Sequence, residues 1–172
     1  MDDILAGKRM LIVDDEPDIL ETLKELLDMC TIDTAPDYET AQKFLKRNPY
    51  DAAIFDIMGV NGYDLLEMAT EIGIPSLMLT AHALSPEHLV NSLKKGAHSY
   101  IPKEKMADIA FYLADLLQTA EKSDLKSRKW YDRIKPYFDK KFGTNWKEEH
   151  REFWKEYDRT HPVTQKEAES ML

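Results

Sequence analysis

Residues 10–17 have the sequence Met-Leu-Ile-Val-Asp-Asp-Glu-Pro, in which four apolar residues lead directly into three acids and a proline. The apolar run has the length and composition of a buried β-strand. Pro17 is well suited to the first position of a following helix. We therefore expect Asp14 and Asp15 to lie where a strand has ended and a helix is about to begin.

Charged residues follow two further apolar runs in the first part of the chain. Asp56 comes directly after the run at 52–55, and Lys103 closely follows Tyr100 and Ile101. Because the carboxyl ends of parallel strands meet at one edge of a sheet, these side chains should lie close together. Three carboxylates gathered with one ammonium group would form a site for a hard cation and a phosphoryl group.

Short apolar runs alternate with helical patterns along the first 120 residues. We predict strands at 9–13, 31–35, 51–55, 75–80 and 98–101. We predict helices at about 17–29, 38–47, 62–71, 86–95 and 104–119. This alternation is typical of an α/β fold with a doubly wound, five-stranded parallel sheet.

Composition and charge restrict the class of protein. Of 172 residues, 43% are hydrophobic, which is enough for a packed core, and the single cysteine excludes an internal disulfide. With no signal-peptide pattern and no long apolar run, we expect a cytoplasmic protein. Residues 1–120 hold 10 basic and 21 acidic residues (net −11), and residues 121–172 hold 13 and 11 (net +2). This balance argues against direct binding to nucleic acid.

The C-terminal part of the chain is rich in aromatic residues. We predict a helix from 146 to about 159, capped by Asn145, with one stripe formed by Trp146, His150, Phe153 and Tyr157. Pro136 should interrupt the preceding segment, so the sequence shows one clear helix here and no convincing helix-turn-helix.

These observations divide the chain into three parts. We expect a first domain at 1–120, a helical extension at 121–160 that could form a hairpin, and a flexible tail at 161–172. The helical extension is too short for a large effector enzyme. Our hypothesis is that it mediates dimerisation or the docking of a partner protein.

Four motifs, in this order, resemble those of the response-regulator receiver domains of two-component signal transduction. They are Leu11-Ile12-Val13-Asp14-Asp15-Glu16-Pro17, Asp56-Ile57-Met58, Leu79-Thr80-Ala81 and Gly96-Ala97-x-x-Tyr100-Ile101-x-Lys103. Each motif alone is weak, but all four at successive strand ends are specific. The resemblance covers about residues 6–120 and implies the flavodoxin-like receiver fold.

The resemblance implies a phosphoryl-acceptor site that contains a metal ion. Asp56 would accept a phosphoryl group from a histidine of a sensor kinase, from a phosphotransfer protein or from a small donor. Asp15, Asp56 and the backbone carbonyl of Met58 would bind Mg²⁺, and Asp14 would act through a water molecule. Such a protein is a signalling receiver rather than an enzyme, although it assists its own phosphorylation and dephosphorylation.

The resemblance also implies how the phosphoryl group is sensed. Lys103 would pair with the phosphoryl oxygens, and the hydroxyl of Thr80 would donate to one of them. Tyr100 would swing inward as Thr80 moves, which changes the face formed by the fourth predicted helix, the fifth strand and the fifth predicted helix. Output would then follow through contacts with other proteins or through a homodimer at this face or at the helical extension.

Some positions depart from the family pattern. Val60 and Glu104 stand where the family usually has proline, and a cis Lys103–Glu104 bond would cost about 3 kcal/mol without proline. The resemblance places Met58 and His82 beside the path of the hydrolytic water. His82 either orients that water or is an exposed loop histidine.

Two other classes of function compete with a phosphorylated receiver. A flavin enzyme or P-loop nucleotidase would need a phosphate-binding loop after the first strand, where this chain has acids that repel phosphate. Aspartyl-nucleophile phosphatases have Asp-x-Asp at that position, unlike Asp14-Asp15. A phosphorylation-independent pseudo-receiver, acting as a scaffold, stays open because of the changes at Val60 and Glu104.

Overall fold

Five parallel strands form one sheet in the computed structural model, which describes residues 2–81, 85–122 and 127–162. They are β1 (Arg9–Val13), β2 (Thr31–Ala35), β3 (Ala52–Phe55), β4 (Ser76–Thr80) and β5 (Ser99–Pro102). The spatial order is β2-β1-β3-β4-β5, and every neighbouring pair is parallel. The order reverses between β1 and β3, where doubly wound sheets bind ligands at the carboxyl ends of their strands. The predicted α/β fold is confirmed.

Helices pack on both faces of this sheet. In the described residues they are α1 (Asp2–Leu5), α2 (Pro17–Leu26), α3 (Tyr38–Arg47), α4 (Gly62–Glu71), α5 (Pro86–Lys94), α6 (Ile109–Glu121), α7 (Lys129–Phe142) and α8 (Arg151–Thr160). The side chains of Asp37 and Ser85 cap α3 and α5 by accepting backbone N–H groups. In this part of the chain, no helix has the length and apolar character needed to cross a membrane.

Most of the sheet is buried because helices cover both of its faces. All residues of β3, β4 and β5 are buried, whereas β2, at one edge, is only partly covered. Strands buried on both faces have nearly continuous apolar sequences instead of alternating ones. This burial explains the uninterrupted apolar run of residues 10–13.

The structure corrects the predicted start of the fifth helix. After β5 the chain forms a 3₁₀ helix, Lys103–Asp108, and α6 begins only at Ile109. The Lys103–Glu104 peptide bond is trans, and none of the described peptide bonds is cis. The short helix α1, whose Leu5 is fully buried in the core, has no counterpart among the predicted helices.

The prediction that Pro136 interrupts the segment before Gly143 is wrong. Pro136 lies inside α7, which runs without a break from Lys129 to Phe142. Proline removes one backbone hydrogen bond of a helix. The burial of Ile134 and Phe138 on either side of it offsets that loss, so packing overrides the local preference.

The predicted last helix begins later than expected. Trp146 lies in the turn before α8, where its indole N–H donates to Asp139 Oδ1 of α7 at 2.8 Å. A short 3₁₀ helix, Glu148–His150, then leads into α8. The predicted side-chain cap by Asn145 is absent, because it is the backbone carbonyl of Asn145 that accepts the Glu148 N–H.

The aromatic stripe also differs from the prediction. Trp154, which the prediction left out, is buried and packs against the rings of Tyr131 and Trp146. Lys147 Nζ lies 4.5 Å from the Tyr131 ring and 4.6 Å from the Trp154 ring. These contacts between aromatic rings and a cation join α7 and α8 into a hairpin.

Candidate functional site

Three charged side chains meet at the carboxyl edge of the sheet. Lys103 Nζ lies 2.9 Å from Asp14 Oδ2 and 3.3 Å from Asp56 Oδ2. Asp14, Asp56 and Lys103 are only 2%, 6% and 8% exposed. They follow β1, β3 and β5, so the parallel sheet brings together residues that are far apart in the sequence.

Backbone hydrogen bonds orient the two buried carboxylates. The Glu16 N–H donates to Asp14 Oδ1, and the Ile57 N–H donates to Asp56 Oδ1, each at 2.9 Å. The other oxygen of each carboxylate faces Lys103. The positions of the acids are thus set by the turns that follow their strands.

Charge in this cluster is not balanced. Burial, and then the charge of Asp14, raise the pKa of Asp56 to about 6. Burial likewise raises the pKa of Asp14. Burial alone would lower the pKa of Lys103, but its hydrogen bond to Asp14 and the charges of both acids raise it. The single positive charge of Lys103 is therefore paired with two buried carboxylates, and the excess negative charge favours the binding of a further cation.

Asp15 and Glu16 extend the cluster toward solvent. Oxygen atoms of Asp14, Asp15 and Glu16 lie within 4.8 Å of one another, and Asp15 and Glu16 are exposed. Glu16 Oε1 also lies 3.2 Å from Lys103 Nζ, a role that the sequence analysis missed. The unbroken run of three acids marks Glu16 as a candidate, but its contact with Lys103 depends on where its side chain reaches in three dimensions. Oxygen ligands of this kind are those that Mg²⁺ prefers.

The loop between β3 and α4 depends on glycine where it passes the site. A Cβ atom added to Gly62 would lie 1.8 Å from the backbone oxygen of Asp56. A Cβ atom on Gly59 would lie 2.4 Å from Asp15 Oδ2. Met58, in the same loop, is 55% exposed, whereas Val60 is buried in the core. Val60 therefore anchors the loop by packing.

Thr80 and Tyr100 lie on the neighbouring strands β4 and β5. Thr80 ends β4, and its hydroxyl is buried without a hydrogen-bond partner among the residues that the structure describes. Tyr100 is fully buried in β5, and its ring packs 6.3 Å from that of Phe138 in α7. His82 lies outside the described residues.

The arrangement can support transfer of a phosphoryl group to a carboxylate. It combines a buried carboxylate, a lysine cation and hard oxygen ligands at one sheet edge. Transfer of this kind depends mainly on positioning and on neutralising negative charge. The structure brings Asp14, Asp15, Asp56 and Lys103 to that edge, as the sequence predicted, whereas Tyr100 lies apart, against the helical extension.

Comparisons with known proteins agree with this arrangement. The family model described as "Response regulator receiver domain" matches residues 10–112. The two-component response regulator ARR10 of Arabidopsis thaliana is 33% identical over 110 residues, covering 60% of this chain and 20% of that protein. The response regulator GtcR of Aneurinibacillus migulanus is 36% identical over 102 residues, covering 56% of this chain and 42% of that protein. The chain therefore spans less than half the length of either relative.

A solved structure gives the same result for the fold. The CheY-like response regulator receiver domain protein of Methanospirillum hungatei JF-1 superposes with a TM-score of 0.63 at 30% identity. The superposition covers 69% of this chain and 99% of that one. Because the family model spans more than half of the sequence and the parallel sheet agrees with it, the chain belongs to the response regulator receiver family of two-component signalling proteins.

Proposed function

We propose that this chain is a two-component receiver that accepts a phosphoryl group on Asp56 from a histidine kinase or a phosphotransfer protein. The observation that carries the proposal is the ion pairing of Lys103 with both Asp14 and Asp56 at the carboxyl edge of the sheet. A lysine held there can neutralise charge on an incoming phosphoryl group as well as on the acids.

In the proposed reaction, a carboxylate oxygen of Asp56 attacks the phosphorus of a phosphohistidine. The new P–O bond forms while the P–N bond breaks, and the imidazole nitrogen keeps the electron pair of that bond. With a pKa of about 6, Asp56 is mostly ionised at neutral pH, as a nucleophile must be. Lys103 stabilises the negative charge of the phosphoryl oxygens through its ammonium group.

The donor set fits Mg²⁺. Asp15, Asp56 and the Met58 carbonyl would hold the ion, with Asp14 acting through water. The grouping of the Asp14, Asp15 and Glu16 carboxylates supports the roles of Asp14 and Asp15 in this assignment. When bound, Mg²⁺ would supply positive charge against the phosphoryl oxygens.

The proposed output depends on Thr80 and Tyr100. The buried hydroxyl of Thr80 would donate to a phosphoryl oxygen, and Tyr100 would move inward as Thr80 shifts. This movement changes the α5–β5–α6 face, which corresponds to the fourth predicted helix, the fifth strand and the fifth predicted helix. The signal then passes through protein contacts or a homodimer of a cytoplasmic protein that does not bind nucleic acid directly. The parts proposed for these tasks are a receiver domain at 1–120 and an extension at 121–160, whereas most of the tail predicted at 161–172, residues 163–172, lies outside the described residues.

The proposal is tested with acetyl phosphate as a small donor and intact mass as the readout. We expect one added phosphoryl group on the wild type in the presence of Mg²⁺ and none after chelation. Asp56→Asn should accept none, because an amide is not a nucleophile for this reaction. Asp28→Asn, which changes an exposed acid on another part of the surface, is the matched control and should behave as wild type. Absence of both phosphoryl transfer and Mg²⁺ binding would favour a pseudo-receiver instead.

A further inference from the structure

The helical extension covers the α5–β5–α6 face of its own chain. Helix α7 contacts β5 and α6, and its Phe138 ring packs on Tyr100 of β5. The guanidinium carbon of Arg133 lies 4.2 Å from the Phe111 ring, and Arg133 Nη2 lies 3.6 Å from Asp108 Oδ2. The face on which the proposed switch acts is therefore occupied from within the molecule.

A second covering contact begins beside the phosphoryl-acceptor site. The Tyr137 hydroxyl of α7 donates to Glu104 Oε2 at 2.6 Å, and Glu104 directly follows Lys103 in the chain. Lys105 Nζ lies 5.5 Å from the same Tyr137 ring. Glu104 stands where the family usually has proline. The carboxylate at this position therefore gives Tyr137 of α7 a hydrogen-bond acceptor that a proline could not provide.

Aromatic rings within the helical extension also contact one another, although they are continuous with the core of the receiver. Trp130, Tyr131, Trp154 and Tyr157 are buried, and Tyr131 contacts each of the other three rings. Lys94 of α5 lies 5.9 Å from the Phe153 ring, so α8 also reaches the covered face. The ring contacts between α7 and α8 can hold the two helices together when the hairpin leaves that face.

We propose that the helical extension reads the state of Asp56, and that a phosphoryl group there loosens its hold on the α5–β5–α6 face. This inference rests on the proposed function. Lys103 lies against Asp56 and precedes Glu104, which binds Tyr137. Tyr100 is fully buried and its ring packs against Phe138, so any movement of the Tyr100 ring changes that contact. One contact of α7 is therefore made by the residue next to Lys103, and the other by the tyrosine that is proposed to move with Thr80.

Two consequences follow from this coupling. The coupling is reciprocal, so weakening the docked state must also favour the phosphorylated form. A second copy or a partner protein can use the α5–β5–α6 face only after the helical extension has moved, because Phe138 and Arg133 already lie on it. Release of the hairpin would expose both the face and the aromatic side chains that covered it.

The test is hydroxyl-radical footprinting of the full chain with and without acetyl phosphate and Mg²⁺, with intact mass measured on the same samples. We expect two- to tenfold faster oxidation of Tyr100, Phe111 and Phe138 in the phosphorylated protein, which is the range that loss of one or two modest contacts produces. Tyr50, buried at the opposite edge of the sheet, serves as the internal reference and should not change.

A matched pair of variants tests the contact itself. Tyr137→Phe removes the hydroxyl that binds Glu104 but keeps the ring, so Phe138 should be oxidised faster even without a phosphoryl group, and phosphorylation should be faster. Tyr38→Phe makes the same chemical change on α3 and should leave both rates unaltered. Unchanged oxidation in Tyr137→Phe would overturn the role of this contact.

The two proposals fail in different ways. A wild-type protein that carries the phosphoryl group but shows unchanged or slower oxidation of Tyr100 and Phe138 would overturn the coupling alone. A wild-type protein that accepts no phosphoryl group would overturn the proposed function, and with it the signal that the helical extension is proposed to read.

Discussion

Replacing Lys103 with Met is expected to lower the free energy of unfolding at neutral pH by about 3–5 kcal/mol, because two buried carboxylates lose the cation that they share. The loss of unfolding free energy caused by Lys103→Met should become smaller as the pH falls. Burial already holds the pKa of Asp56 at about 6, above its ordinary value, so its ionised form destabilises the folded state. Stability is therefore gained below that pKa and lost as the pH rises through it. Denaturant unfolding at pH 5 and pH 7.5 measures both effects.

The control for this prediction is Lys24→Met. Lys24 pairs with Glu21 on the exposed surface of α2 at 3.8 Å, and such pairs contribute only about 0–1 kcal/mol. Lys24→Met should therefore change the free energy of unfolding only slightly at both pH values. Equal losses for Lys103→Met at pH 5 and pH 7.5 would contradict the account, because they would indicate a packing defect instead of unpaired acids.

The second large effect is expected at Gly62. Gly62→Ala places a Cβ atom 1.8 Å from the backbone oxygen of Asp56, so the loop after β3 must shift. We expect a loss of about 3 kcal/mol or more of stability, at the upper end of overpacking effects, together with slower phosphoryl transfer because Asp56 is displaced. Thermal unfolding and the rate of phosphorylation by acetyl phosphate are the measurements.

Gly73→Ala is the matched control for Gly62→Ala. A Cβ atom on Gly73 meets no atom within 4 Å, and its cost is the strain of a positive φ, about 1–2 kcal/mol. Phosphorylation should then proceed at the wild-type rate, since this turn lies away from the site. Equal losses of stability in the two variants, with full phosphorylation of both, would contradict this prediction. They would show that the short distance between residue 62 and the Asp56 backbone oxygen is not important for the site.

Local patterns predicted much of the fold and the charged core of the site. Apolar runs ending in Asp14, Asp56 and Lys103 are short-range signals, and the geometry of a parallel sheet then brings their ends together. The contacts of Glu16 and Glu104 could not be predicted in this way. Both depend on where a long side chain reaches in three dimensions, which sequence spacing does not determine.

The helical extension shows the opposite case, in which tertiary packing overrides a local preference. Pro136 disfavours a helix, yet α7 continues through it because Ile134 and Phe138 are buried beside it. Trp146 similarly fits the helical pattern of α8 but is held in the preceding turn by its bond to Asp139. Local sequence patterns contain no information about such contacts between residues that are distant in the sequence.

The most direct test of the account is to locate the phosphoryl group. Wild-type protein treated with acetyl phosphate and Mg²⁺ would be reduced with borohydride, which converts an aspartyl phosphate to homoserine, and its peptides would then be sequenced by mass spectrometry. We expect homoserine at residue 56 and unmodified aspartate at residues 14 and 15, because Asp14 and Asp15 are proposed to hold the metal ion and not to accept the phosphoryl group. Homoserine at Asp14 or Asp15, with Asp56 unmodified, would contradict it.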